Sequence, residues 1–167
     1  MTPLCEIALK TGTDKVHLGY TPLYHEWLKD EPVRRMLEIG VWRGYSLRMW
    51  RDFFPMAQVY GLDLSPRFMV HGEPRIKTAV CDQGNEASLA LAAANFGGGF
   101  DLIVDDGSHE PTHQVASCRA LLPFLRPGGM YVIEDVLNVL PVASALPVEF
   151  EVFGFEHHPY SVLRRVK

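Results

Sequence analysis

The sequence predicts an α/β three-layer sandwich of Rossmann-like type, with a mostly parallel sheet that ends in an antiparallel C-terminal hairpin. Three observations lead there. Short apolar runs alternate with helical patterns between Arg35 and Asp135, the rhythm of βαβ units whose strands are covered on both faces. Five of these runs close on carboxylates, at Glu38, Asp63, Asp82, Asp105-Asp106 and Glu134-Asp135. The rhythm then breaks: Val148–Phe155 and Ser161–Lys167 are both strand-like, and no helix fits between them. With 167 residues and no linker, repeat or low-complexity tract, the chain reads as one domain, 1–167.

The elements follow in order. Thr21-Pro22 resembles a helix cap with proline at the first helical position, and Leu23, Trp27 and Leu28 recur at helical spacing behind it. Arg35–Gly40 is the first strand, and Ser46–Phe54 is a helix with Leu47, Trp50 and Phe54 on one stripe. Gln58–Asp63 and Arg75–Cys81 are the second and third strands. Asn85 caps an alanine-rich helix over Glu86–Phe96, which three glycines (Gly97, Gly98 and Gly99) terminate. Phe100–Asp105 is the most apolar strand, Pro111 opens a helix that Pro127-Gly128-Gly129 ends, and Met130–Asp135 is the fifth strand. The segment from Asp135 to Val148 is a short, apolar, proline-containing connection. Tyr20, Tyr24 and Trp27 look exposed and have two readings, a homo-oligomer interface or packing on the sheet.

Hydrophobic residues make up 47% of the chain and charged residues 22%, the balance of a soluble globular protein. A net charge of −4 and a pI near 5.9 argue against a nucleic-acid partner. Cys5, Cys81 and Cys118 are odd in number and lack metal-finger spacing, so they read as reduced, small apolar residues. No apolar run approaches the roughly 20 residues of a membrane span. Met1–Lys10 lacks the basic start and apolar stretch of a signal peptide. The expectation is a cytoplasmic protein with neither membrane nor nucleic acid as partner.

In open α/β sheets, ligands bind beyond the carboxyl ends of the strands, where the chain direction switches. Glu38 to Gly44 has the pattern E-x-G-x-x-x-G, whose glycines let the backbone turn tightly and approach a ligand closely. It is not the G-x-G-x-x-G turn that sets a helix N-terminus against a pyrophosphate, so it suits a cofactor without phosphates. Asp63 is placed to accept hydrogen bonds from a ribose diol. Asp106, Glu134 and Asp135 meet if the fourth and fifth strands are neighbours, and like charges raise one another's pKa unless a cation sits among them. Mg²⁺ meets that need with oxygen ligands; the alternatives are a cap of the next segment or pairing with Arg126 or Arg43. His109, three residues past Asp106, is the candidate general base, histidine being the side chain whose unperturbed pKa suits proton transfer near neutral pH, and His113 is the second candidate.

These residues resemble the class I S-adenosylmethionine-dependent methyltransferases. Within that class the similarity is to macrolide-tailoring sugar O-methyltransferases and cephalosporin hydroxylase-like proteins. The resembling segments are Gly12–Lys15 (GTDK), Leu37–Trp50 (LEIGVWRGYSLRMW), Val59–Asp63 (VYGLD), Cys81–Gln83 (CDQ), Asp101–His109 (DLIVDDGSH) and Leu125–Val136 (LRPGGMYVIEDV). The resemblance implies that Glu38 and Gly40 flank the methionine part of S-adenosylmethionine, Asp63 binds its ribose, and Asp82 with Gln83 lies near its adenine. Gly44 and Asp105 complete the cofactor-binding set. It further implies that Asp106, Glu134 and Asp135 hold Mg²⁺, and that His109 takes the proton from the acceptor hydroxyl. Gly12–Lys15 would fold over the site; without the resemblance it reads as an ordinary turn.

The expected activity is metal-assisted O-methylation of a sugar or other diol-bearing small molecule. Two other classes stand beside it. A nicotinamide-dependent oxidoreductase is disfavoured by the glycine pattern and the terminal hairpin. A non-catalytic cofactor-binding or scaffold protein is favoured by the short stretch after Asp135, since the tailoring enzymes have additional elements that enclose the acceptor.

Overall fold

The computed structural model describes residues 1–165. Seven strands form one sheet: β1 (Arg35–Ile39), β2 (Gln58–Asp63), β3 (Ile76–Val80), β4 (Phe100–Asp105), β5 (Leu125–Val136), β6 (Phe150–Gly154) and β7 (Ser161–Arg165). Their order is β3-β2-β1-β4-β5-β7-β6. The first five run parallel, while β7 is antiparallel to both β5 and β6. The chain starts at β1, winds out to β3, then crosses back to β4. The carboxyl ends of β1 and β4 therefore flank the topological switch point where open sheets bind ligands.

The period-2 alternation of the strands sorts the core into two layers. Met36, Val59, Leu102, Val104 and Val132 point to one face, packed under α1 (Pro3–Thr11), α2 (Tyr20–Leu28) and α3 (Tyr45–Phe53). Leu37, Tyr60, Ile103, Tyr131 and Ile133 point to the other, under α4 (Glu86–Asn95), α5 (Pro111–Leu121) and α6 (Val139–Ala145). This is the expected three-layer sandwich with its terminal hairpin.

Several boundaries differ from the sequence reading, each for a local reason. Helix α1 was not anticipated; Thr2 caps it by accepting the Cys5 amide at 3.3 Å, Pro3 opens it, and left-handed Gly12 closes it. Helix α2 begins at Tyr20 behind left-handed Gly19, so Thr21 is no cap but a buried partner of Cys5 Sγ at 3.2 Å. Pro127-Gly128-Gly129 does not stop a helix. Helix α5 ends at Leu121, a 3₁₀ turn spans Leu122–Phe124, and the Pro-Gly-Gly lies in β5 where its register against β4 shifts. The stretch after Asp135 contains α6, which buries Val142. Tyr20 and Tyr24 are buried rather than exposed, and Trp27 packs on Phe153 with ring centroids 4.8 Å apart. Val166 and Lys167, expected to extend the last strand, lie outside the described residues. All three cysteines are free and buried. Among the described residues no helix is long and apolar enough to cross a membrane.

The expected cap at Asn85 is present: its side chain accepts the Ser88 amide at 3.0 Å on the exposed end of α4. Asn85→Ala is expected to lower stability by about 1 kcal/mol, read as a lower urea midpoint at unchanged slope.

Candidate active site

A cavity of about 570 Å³ opens at the carboxyl ends of β1 to β4. Its wall beside β1 is the glycine turn. Gly40 has φ +94°, and a Cβ there would sit 2.0 Å from the Asp106 carbonyl oxygen, so glycine allows the β1 and β4 loops to touch. Gly44, also left-handed, leads into α3. Asp63 fixes this turn, its Oδ2 accepting from the Val41 and Trp42 amides at 2.9 and 3.0 Å. It also borders the cavity, as does Asp82, which accepts the Gly84 amide at 2.9 Å. Gln83 lines the floor with its amide spent internally. Its Nε2 donates to Asp105 Oδ1 at 2.7 Å and Ser117 Oγ at 3.0 Å, and its Oε1 accepts the Ser108 amide at 2.8 Å. Asp105 lies buried beneath the floor, and burial pushes its carboxyl up to about 7.

Glu38 is not at the cavity surface. It is fully buried, accepting from Ser46 Oγ at 2.7 Å and Trp50 Nε1 at 3.2 Å, with Lys15 Nζ 3.3 Å away. That lysine is the centre of the arrangement. Its Nζ also lies 2.5 Å from Asp106 Oδ2 and 2.6 Å from Glu134 Oε2, and its side chain is 1% exposed. Tyr24 donates to Glu134 Oε1 at 2.5 Å, and Tyr20 donates to Asp135 Oδ1. The cation among the acids is thus Lys15. Arg126 instead pairs with Asp101, and Arg43 lies over the Trp42 ring at 5.1 Å.

The protonation pattern follows from burial and charge. Burial opposes the Lys15 ammonium, but Asp106, Glu134 and Glu38 outweigh it and raise its pKa well above the ordinary value. Burial pushes the carboxyls of Glu38, Asp106 and Glu134 up, and Lys15 pulls them back only in part. Burial, reinforced by Asp135 and Glu134, raises Tyr20 and Tyr24, so both phenols stay protonated as donors.

The structure divides the expected metal set. Asp106, His109 and Asp135 offer ligand atoms all within 4.8 Å of one another. Glu134 stands apart, 1% exposed, with its two oxygens on Lys15 and Tyr24. His109 Nε2 is 3.7 Å from Asp135 Oδ2 and the imidazole is 41% exposed. His113 lies elsewhere along the wall, hydrogen-bonded to Ser108 Oγ at 2.9 Å and packed against Gly84. His109, Asp135 and Trp42, all bordering the cavity, have φ of +60°, +54° and +42°. Such values cost a side-chain-bearing residue energy and cluster at functional sites.

The sequence reading has Lys15 in a segment folding over the site and Tyr20 and Tyr24 at an interface or on the sheet, and none of the three as a partner of the acids. The tyrosines stand at i and i+4, hence on one helix face, but nothing local says that their partners lie 115 and 110 residues further on.

A family model described as a methyltransferase domain matches residues 37–136. Mycinamicin VI 2''-O-methyltransferase of Micromonospora griseorubida is 45% identical over 126 residues, covering 70% of this chain and 31% of that protein. The 8-demethyl-8-alpha-L-rhamnosyl tetracenomycin-C 2'-O-methyltransferase of Streptomyces olivaceus is 40% identical over 146 residues, covering 80% and 37%. Among solved structures, the MycE methyltransferase from the mycinamycin biosynthetic pathway, in complex with Mg and SAH, superposes with a TM-score of 0.78. Its identity is 30%, covering 99% of this chain and 55% of that one. The chain spans about a third of the length of these curated relatives and about half of the solved structure.

Asp105 gives the site a pH signature. Its folded pKa of about 7 lies above the unfolded carboxyl value, so between roughly pH 4 and 7 the folded state holds a proton that the unfolded state releases. In chelator, this group's contribution to stability should therefore fall as pH rises through that window and level off above it. Asp105→Asn is expected to remove that slope in melting temperatures taken from pH 5 to 8; an unchanged slope would assign it to other groups.

Proposed function

The chain belongs to the methyltransferase-domain family, and from that premise we propose that it transfers a methyl group from S-adenosylmethionine to a hydroxyl of a sugar-like small molecule. The observation behind this reading is the gathering of Asp106, His109 and Asp135 at one wall of a cofactor-sized cavity. The relatives' names support it, since they are sugar O-methyltransferases, and MycE was solved with Mg and SAH.

The residues present fit both groups. The glycine turn lacks the G-x-G-x-x-G pattern of a pyrophosphate site, and Asp63 and Asp82 supply acceptors along the cavity wall, as hydroxyl and amino donors of a nucleoside need. S-adenosylmethionine, when bound, supplies an electrophilic sulfonium methyl. Asp106 and Asp135 are the hard oxygen ligands for a divalent cation such as Mg²⁺, with His109 beside them. Such a cation, when bound, supplies Lewis-acid polarisation of the acceptor hydroxyl.

The chain's own residues then divide the work. His109 takes the hydroxyl proton on its imidazole. Asp135, fixed by Tyr20, stands 3.7 Å from Nε2 and stabilises the imidazolium that results. Asp63 and the glycine turn set one wall, while Gln83 holds the loop that contains His109 by accepting the Ser108 amide. Positioning contributes much of the rate, because the reaction needs a close, aligned approach of oxygen to methyl carbon. A small-molecule acceptor suits the net charge of −4, and a cytoplasmic setting suits the free cysteines.

The test is methyl transfer to a panel of glycosides with and without vicinal diols, followed by mass spectrometry of the products. His109→Ala is expected to lower transfer about 10²- to 10⁴-fold while calorimetric binding of S-adenosylhomocysteine is kept. EDTA is expected to lower transfer and Mg²⁺ to restore it. Full activity in His109→Ala would remove the base role, and cofactor binding without transfer to any hydroxyl would favour a non-catalytic binding protein.

A further inference from the structure

Three carboxylates, Glu38, Asp106 and Glu134, meet a single ammonium, Lys15, beneath the cavity, and a fourth, Asp135, lies beside Asp106 and His109. Lys15 leaves them under-compensated, so the cluster retains a demand for positive charge. The direction of the demand is toward the cavity, where Asp106 and Asp135 face His109. A divalent cation held there lies against Asp106, whose Oδ2 is already 2.5 Å from Nζ. An oxygen that close to Nζ has little room for a second cation, so a divalent ion and the ammonium compete for Asp106 Oδ2 and Glu134 Oε2.

The segment bearing Lys15 is short. It is a three-residue 3₁₀ turn, Asp14–Val16, set between two left-handed glycines, Gly12 and Gly19, and a Cβ at Gly12 would meet nothing within 4 Å. It joins α1 to α2 without being part of either. Its residues Thr13 and Asp14 border the cavity, so a shift of Lys15 also moves part of the wall.

We propose that Lys15 and a divalent cation are alternative counter-ions for one carboxylate cluster, with Glu134 passing from the ammonium to the cation as Lys15 withdraws. This rests on the cation reading of the site given above. It also explains why Glu134 stands outside the group formed by Asp106, His109 and Asp135: its oxygens are held by Lys15 and Tyr24.

The experiment is Mn²⁺ binding, followed by titration calorimetry and by the electron paramagnetic resonance of the free ion, in the wild-type chain and in Lys15→Met. Without an ammonium to displace, Lys15→Met is expected to bind Mn²⁺ at least tenfold more tightly. A variant that folds only when Mn²⁺ is added supports the proposal too, because the ion then replaces the missing charge. In the wild-type protein, acylation of Lys15 read by peptide mass spectrometry is expected to be low in EDTA and higher in saturating Mg²⁺. This second measurement decides the matter if Lys15→Met folds under neither condition. Equal or weaker Mn²⁺ binding by folded Lys15→Met, or Lys15 labelling that Mg²⁺ leaves unchanged, would overturn the proposal while wild-type binding upholds the cation reading. Absence of Mn²⁺ binding in both proteins would overturn both.

Discussion

The burial of Lys15 Nζ among Glu38, Asp106 and Glu134 is the constraint on which the open end of the sheet depends. Glu38 lies in β1, Asp106 just past the end of β4 and Glu134 in β5, and the lysine lies 91 residues before Asp106 and 119 before Glu134. A buried charge without a partner costs several kcal/mol, so the three strand ends need a cation among them, which Lys15 supplies here from the N-terminal segment. The supports radiate from there. Glu38 is braced by Ser46 and Trp50 of α3, and Glu134 by Tyr24 of α2. Tyr20 packs on Phe155 and His158 with centroids 5.0 and 5.7 Å apart, and His158 Nε2 bonds the Leu18 carbonyl at 2.9 Å. The loop of the terminal hairpin thus backs the segment that bears the lysine.

The paired acids at the ends of β4 and β5 show how a strand separates scaffold from chemistry. Successive side chains on a strand point to opposite faces. Asp105 turns into the layer with Gln83 and Ser117, while Asp106 reaches the cavity. Glu134 turns under α2 to Tyr24, while Asp135, with its left-handed backbone, is aimed back toward His109. In each pair one acid borders the cavity and the other is buried behind it.

Much of this was legible in sequence, and the limits have physical causes. Strands β2 and β4 have the bounds expected from their apolar runs and closing acids, because those cues are local. The convergence of Asp106 with Asp135 followed from β4 and β5 being neighbours. The same reasoning required a cation but had no means of choosing Lys15 over Arg43 or Arg126, since a lysine in a short turn has no local mark of its distant partners. Glu38 and Asp105, read as cofactor-binding, lie buried beneath the cavity surface, and a strand-end acid looks the same in sequence whichever way the pleat turns it. Pro127-Gly128-Gly129 breaks a helix or bulges a strand with equal readiness, and only the pairing of β5 with β4 decides which.

The backbone strain at the cavity is explained by this scaffold. Left-handed φ at Trp42, His109 and Asp135 costs on the order of 1–3 kcal/mol each, and it persists only where neighbours over-determine the conformation. Each of the three has such a brace. The Trp42 amide is held by Asp63, Asp135 by the Tyr20 hydroxyl, and the residue before His109 by Gln83. The braces come from buried elements and the strained residues border the cavity, so the folding energy of the sandwich keeps three side chains in orientations that an unbraced loop would abandon. For the methyl transfer proposed above, fixed orientation is a main thing the chain can supply.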